Sequence, residues 1–106
     1  MSMLGISHAE RAAWQRRAAA ELARILDAHR DLPLITWTVG AAGSVLVGRA
    51  DSRSRVSFDA WRGALALVEH HEHTSGTVTS LSAKVHRNSV RVVLLADLLD
   101  EAGGQP

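Results

Sequence analysis

The most conspicuous run of chemically competent side chains is Glu69-His70-His71-Glu72-His73. Read as the fading end of a helix, it sets His70 and His73 three residues apart on one face, with Glu69 four residues before His73. Two imidazoles and a carboxylate suit a divalent cation, and the chemistry would be metal-assisted hydrolysis. A catalytic zinc asks for three protein ligands and for partners that orient them. The simpler reading is that imidazoles near a helix C-terminus satisfy exposed carbonyls and the helix dipole. It is preferred here, and no cofactor is expected.

A second group is cationic: Arg53 and Arg55 in a polar central loop, and Lys84, Arg87 and Arg91 around the last hairpin. If Lys84 and Arg91 share one sheet face, they offer phosphate contacts, the electrostatic part of nucleic-acid binding. Composition argues against a dedicated binder, because 12 Lys+Arg stand against 11 Asp+Glu for a net charge of +1. Bases would also lack a stacking platform, since there is no Tyr, one Phe and three Trp, all on predicted core faces. Gly40 and Gly43 lie between two strands rather than between a strand and a helix, so they are turn residues and not a phosphate loop. Ser, His and Asp are present without an elbow motif to order a nucleophile against a base. No catalytic residue is assigned, and the reading is non-enzymatic.

These groups must be carried by a small number of elements. Ser7-His8-Ala9-Glu10 has the spacing of a capping box, predicting a helix over about Ala9 to Arg30 whose stripe is Trp14, Ala18, Leu22, Ile25 and His29. Leu34 to Val39 alternates with Ile35, Trp37 and Val39 on one face; Ser44 to Ala50 returns beside it as a hairpin. Ser57 is expected to cap a second helix with Phe58, Trp61, Leu65 and Val68 on its buried side, fading through His70 to His73. A final hairpin covers Gly76 to Ala96, turning at Asn88, which tolerates left-handed backbone. The expectation is one α+β domain over residues 1–106, in α-β-β-α-β-β order. It has a four-stranded antiparallel sheet with two helices packed on one face, and residues 1–6 and 100–106 flexible.

The last strand carries the functional argument. Val90, Val92, Leu94 and Ala96 fall on one face, and Arg91, Val93, Leu95 and Asp97 on the other. Both faces hold aliphatic groups, so Val93 and Leu95, with Val78, ask for a second cover. Either a helix crosses to that side or a second copy of the chain does. The expectation is an interaction module whose interface is Val78, Val93 and Leu95 and whose partner is a second copy or another protein. Nucleic acid is the alternative partner.

The segments ITWTVG (35–40), FDAW (58–61) and SVRVVLLAD (89–97) resemble a group of short proteins from GC-rich bacteria, over roughly residues 15 to 98. The resemblance implies a shared fold and no activity. A chain of 106 residues with 46% hydrophobic content is the size of one domain. It has no cysteine, which excludes disulfides and thiolate chemistry. No apolar run approaches the ~20 residues of a membrane span, and a cytoplasmic location is expected.

Overall fold

The structure is a computed structural model that describes residues 7–40, 43–51 and 55–99. Two helices and five strands follow in the order α1 (His8–Ala28), β1 (Thr36–Val39), β2 (Val45–Arg49), α2 (Val56–Leu65), β3 (Glu69–Ser75), β4 (Val78–Arg87) and β5 (Val90–Leu99). They form an α+β fold with one mixed sheet, ordered β1-β2-β5-β4-β3. The expected four-stranded antiparallel sheet is corrected in two respects. Residues 69–75 are a fifth strand rather than a helix end, and β2 runs parallel to β5 while all other neighbours are antiparallel.

Local chemistry explains where each element begins and ends. The capping box forms: Glu10 N–H donates to Ser7 Oγ and Ser7 N–H donates to Glu10 Oε1, both at 3.1 Å. Helix α1 closes at Ala28, five residues before Pro33, so the proline does not set its end. Helix α2 is preceded by Arg55 with no side-chain cap, and Ser57 lies inside its first turn. It ends sooner than expected because Ala66 adopts left-handed backbone (φ 54°, ψ 49°). Leu67 N–H then donates to Arg62 O at 3.1 Å and Ala66 N–H to Gly63 O at 3.2 Å, the paired bonds of a Schellman motif. Leu67 is buried behind that motif, whereas Val68, expected in the core, is 79% exposed. With the helix closed at this point, the chain emerges extended and residues 69–75 pair along β4.

Both helices pack on the same face of the sheet. Ala18 and Ile25 of α1 and Phe58, Trp61 and Leu65 of α2 are buried in one cluster with Leu46, Leu81, Ala83, Val90, Val92, Leu94 and Ala96 of the strands. Trp61 ties the layers together. Its Nε1 donates to the Pro33 carbonyl at 2.7 Å, and its ring meets Trp37 edge-on at 5.5 Å. Gly48 lies below that aromatic pair, where an added Cβ would come within 3.0 Å of both Ile35 and the Trp37 ring. The β4–β5 turn places Asn88 (φ 50°) and Ser89 (φ 66°) in left-handed conformation, as the Asn88 reading requires. None of the described helices is long and apolar enough to cross a membrane.

Candidate functional site

Because side chains alternate along a strand, the pairing registers determine what each sheet face carries. With Val90, Val92, Leu94 and Ala96 directed at the helices, Arg91, Val93, Leu95, Asp97 and Leu99 of β5 face the other way. Their cross-strand partners on β4 are His86, Lys84, Ser82, Ser80 and Val78. Beyond these, Glu69, His71 and His73 of β3 lie opposite Lys84, Ser82 and Ser80. On the other side Val45, Val47 and Arg49 of β2 lie beside Arg91, Val93 and Leu95, and Thr38 and Thr36 of β1 continue the rows. No described element packs over this face.

The three residues expected at an interface, Val78, Val93 and Leu95, all lie here. They are half-buried by their own neighbours. Around them the face is polar and organised. Asp97 accepts a hydrogen bond from Ser80 Oγ at 3.0 Å and pairs with Arg49 at 3.6 Å. These groups, with His71, His73 and Leu95, line a shallow depression of about 280 Å³. The alternation along the last strand puts Asp97 on this face, but Arg49 and Val47 give no such signal, since only the parallel β2–β5 pairing brings them beside it. A period-two count along residues 69–75 would have put His71 with His73.

The candidate metal group is not brought together. On a strand, His70 and His73 point to opposite faces; His70 lies against Phe58 on the helix side, the rings tilted by 40° with centroids 5.9 Å apart, while Glu69 and His73 lie on the uncovered face. Among the described residues, no three His, Asp or Glu side chains converge on a point that could hold a metal ion. The cationic group divides as well. Lys84 and Arg91 share the uncovered face, as the phosphate reading requires. Arg55 instead pairs with Glu72 at 3.0 Å and Asp59 at 3.5 Å, and Arg87 with buried Glu21 at 3.3 Å, both on the helix side. The hydrogen bond from Arg55 holds the Glu72 carboxyl below its ordinary range and raises the Arg55 guanidinium in return. Arg53 lies outside the described residues.

Comparison of the chain with protein-family models, with curated proteins and with solved structures returned no match. Function must therefore be argued from the uncovered face and its chemistry.

Proposed function

We propose that the protein is a small interaction module that self-associates through its uncovered sheet face, with a second copy of the chain as the partner. The observation that carries this reading is an aliphatic strip across the three central strands. Val47, Val93 and Leu95 lie at its centre with Val45 beside Val47, and Val78 with Leu99 form a second apolar pair beyond the Ser80–Asp97 row, on a face that no described element covers. Half-polar sheets tolerate water on one side, but contiguous apolar groups on such a face are a mark of contact surfaces.

The dimensions suit a partner of this kind. Five strands about 4.8 Å apart and about seven residues long span roughly 24 by 23 Å in plan. Side-chain relief brings the accessible area toward the roughly 800 Å² per partner of a stable interface. The composition suits it too, with an apolar centre and a rim of Glu69, His73, His86 and Thr36. Since sheets pack face to face at about 10 Å, two copies of this face would form the inner layers of a four-layer sandwich.

The test is the solution mass with Leu95→Glu as the perturbation. Sedimentation equilibrium or light scattering of the wild type is expected to give a dimer. The variant is expected to be a monomer with unchanged circular dichroism, because Leu95 lies on the face away from the core and its carboxylate stays hydrated once the copies part. A monomeric wild type at high micromolar concentration overturns the proposal.

A further inference from the structure

The uncovered face fits a second copy of itself in one orientation, and we infer that the two sheets stack with their β5 strands antiparallel. This rests on the self-association proposed above. Residues at the same height along the strands form rows across the face. One row holds Arg49, Leu95, Ser82 and His71; the next holds Val47, Val93, Lys84 and Glu69. Arg91 lies in the row beyond Val93, and Asp97 in the row beyond Leu95.

A two-fold axis relating stacked faces lies in the plane between them. If it runs across the strands, between the Val93 and Leu95 rows, each row is laid over its counterpart on the other side of the axis. Val93 then meets the partner's Leu95, and Arg91 meets the partner's Asp97. In the adjoining strands Glu69 falls over the partner's His71, Lys84 over the partner's Ser82, and Val47 over the stem of the partner's Arg49, whose guanidinium is held by Asp97 of its own chain. The apolar contacts sit at the axis, the opposite charges flank them, and every contact occurs twice.

Two neighbouring placements set groups against each other. An axis along β5 lays each row over itself, so Arg91 faces Arg91 and Asp97 faces Asp97. An axis across the strands through the Leu95 row puts the Asp97 carboxylate over the partner's Val93. Like-charge contacts and an unpaired carboxylate on an aliphatic group both oppose association. Arg91 also makes no ion pair with a described residue. Asp97 is 58% exposed, and among the described residues its ion-pair partner is Arg49 at 3.6 Å, so its carboxylate has room for a further donor.

A charge-reversal cycle tests the orientation. Arg91→Asp and Asp97→Arg are each expected to weaken dimerisation at least tenfold, because each replaces two attractive contacts by two repulsive ones. The double variant restores opposite charges across the axis and is expected to recover to within about threefold of wild type. Rescue cannot arise inside one copy, since the two positions are six residues apart on one strand, roughly 20 Å. Circular dichroism checks the fold of each variant, and Arg91→Glu with Asp97→Lys repeats the cycle with other side chains. A dimeric wild type whose double variants associate no better than the single ones overturns this orientation and leaves self-association standing. A monomeric wild type removes both.

Discussion

Asn88 Nδ2 donates a 2.9 Å hydrogen bond to Glu21 Oε1, joining the middle of α1 to the β4–β5 turn across 67 residues of chain. Glu21 is 1% exposed, buried between Ala18 and Ile25 on the core side of the helix. Arg24 donates to the same oxygen at 2.6 and 3.1 Å, and Arg87 Nε lies 3.3 Å from Oε2. A buried carboxylate is tolerable only with such partners. The helix is thereby fixed over the hairpin whose outer face is the proposed interface. Glu21→Ala removes charge-assisted bonds worth about 1.5–3 kcal/mol each in favourable cases. Part of that is regained when Arg24 returns to water. The expected loss is about 2–3 kcal/mol, read as a lower midpoint in urea unfolding. An unchanged midpoint would show that the bonds are incidental.

The same carboxylate sets the direction of the acid response. Burial is the largest influence on Glu21 and pushes its carboxyl up. The hydrogen bonds from Asn88 and Arg24, with the charges of Arg24 and Arg87, together outweigh burial and hold it below its ordinary value of 4.5. A carboxyl lower in the folded chain than in the unfolded one contributes its full stability above the unfolded value. It loses that contribution as pH falls through the folded value. Glu72, lowered by Arg55, acts in the same direction from an exposed site. Melting temperature should therefore fall below about pH 5, and Glu21→Gln should be less stable at neutral pH with a shallower acid slope. Parallel melting curves for the two proteins across that range would exclude Glu21 as the source.

Gly48 is required by packing rather than by backbone conformation. A Cβ at this position would lie 3.0 Å from Ile35 Cδ1 and from Cη2 and Cζ3 of Trp37. The Trp37 ring has little room to retreat, because Trp61 is edge-on to it and is itself held by Pro33. Gly48→Ala is predicted to destabilise by about 1–3 kcal/mol, the usual range for overpacking. Tryptophan fluorescence should shift with it as the aromatic pair separates. A variant with wild-type stability and spectrum would mean that the pair yields easily.

Much of this arrangement is legible in the sequence wherever the signal is local. Ser7 and Glu10 announce α1, and the alternation around Leu81, Ala83 and Val85 and around Val90 to Ala96 gives β4 and β5 with their faces. The placement of Val78, Val93 and Leu95 follows from that alternation alone. The parts that are not legible depend on partners distant in the chain or on a residue that gives no signal. Glu21 in a helix reads as solvated, and only the arrival of Arg87 and Asn88 makes its burial affordable. Arg49 meets Asp97 only through the parallel pairing of β2 with β5. Strand β3 is hidden because the residue that ends α2 is alanine, and Glu69 to His73 carry none of the β-branched content that marks strands.

That concealed helix end gives a paired prediction, in which the same two amino acids are exchanged in opposite directions and both changes stabilise. Ala66 has φ 54°, where an L side chain crowds its own carbonyl at a cost of roughly 1–2 kcal/mol. Glycine removes that crowding, and its greater freedom in the unfolded chain returns part of the gain. Ala66→Gly should therefore add about 0.5–1 kcal/mol. Gly63, three residues earlier in α2, has ordinary helical backbone, and a Cβ there would meet nothing within 4 Å. Gly63→Ala should add about 0.5–1 kcal/mol by restricting the unfolded chain. Each change should raise the melting temperature by a few degrees, since about 1 kcal/mol shifts a domain of this size by roughly 4–8 °C. Because neither residue is on the uncovered face, the solution mass should be the same in both variants as in the wild type. If Ala66→Gly lowers the melting temperature while Gly63→Ala raises it, residue 66 continues the helix, and β3 must begin later than Glu69.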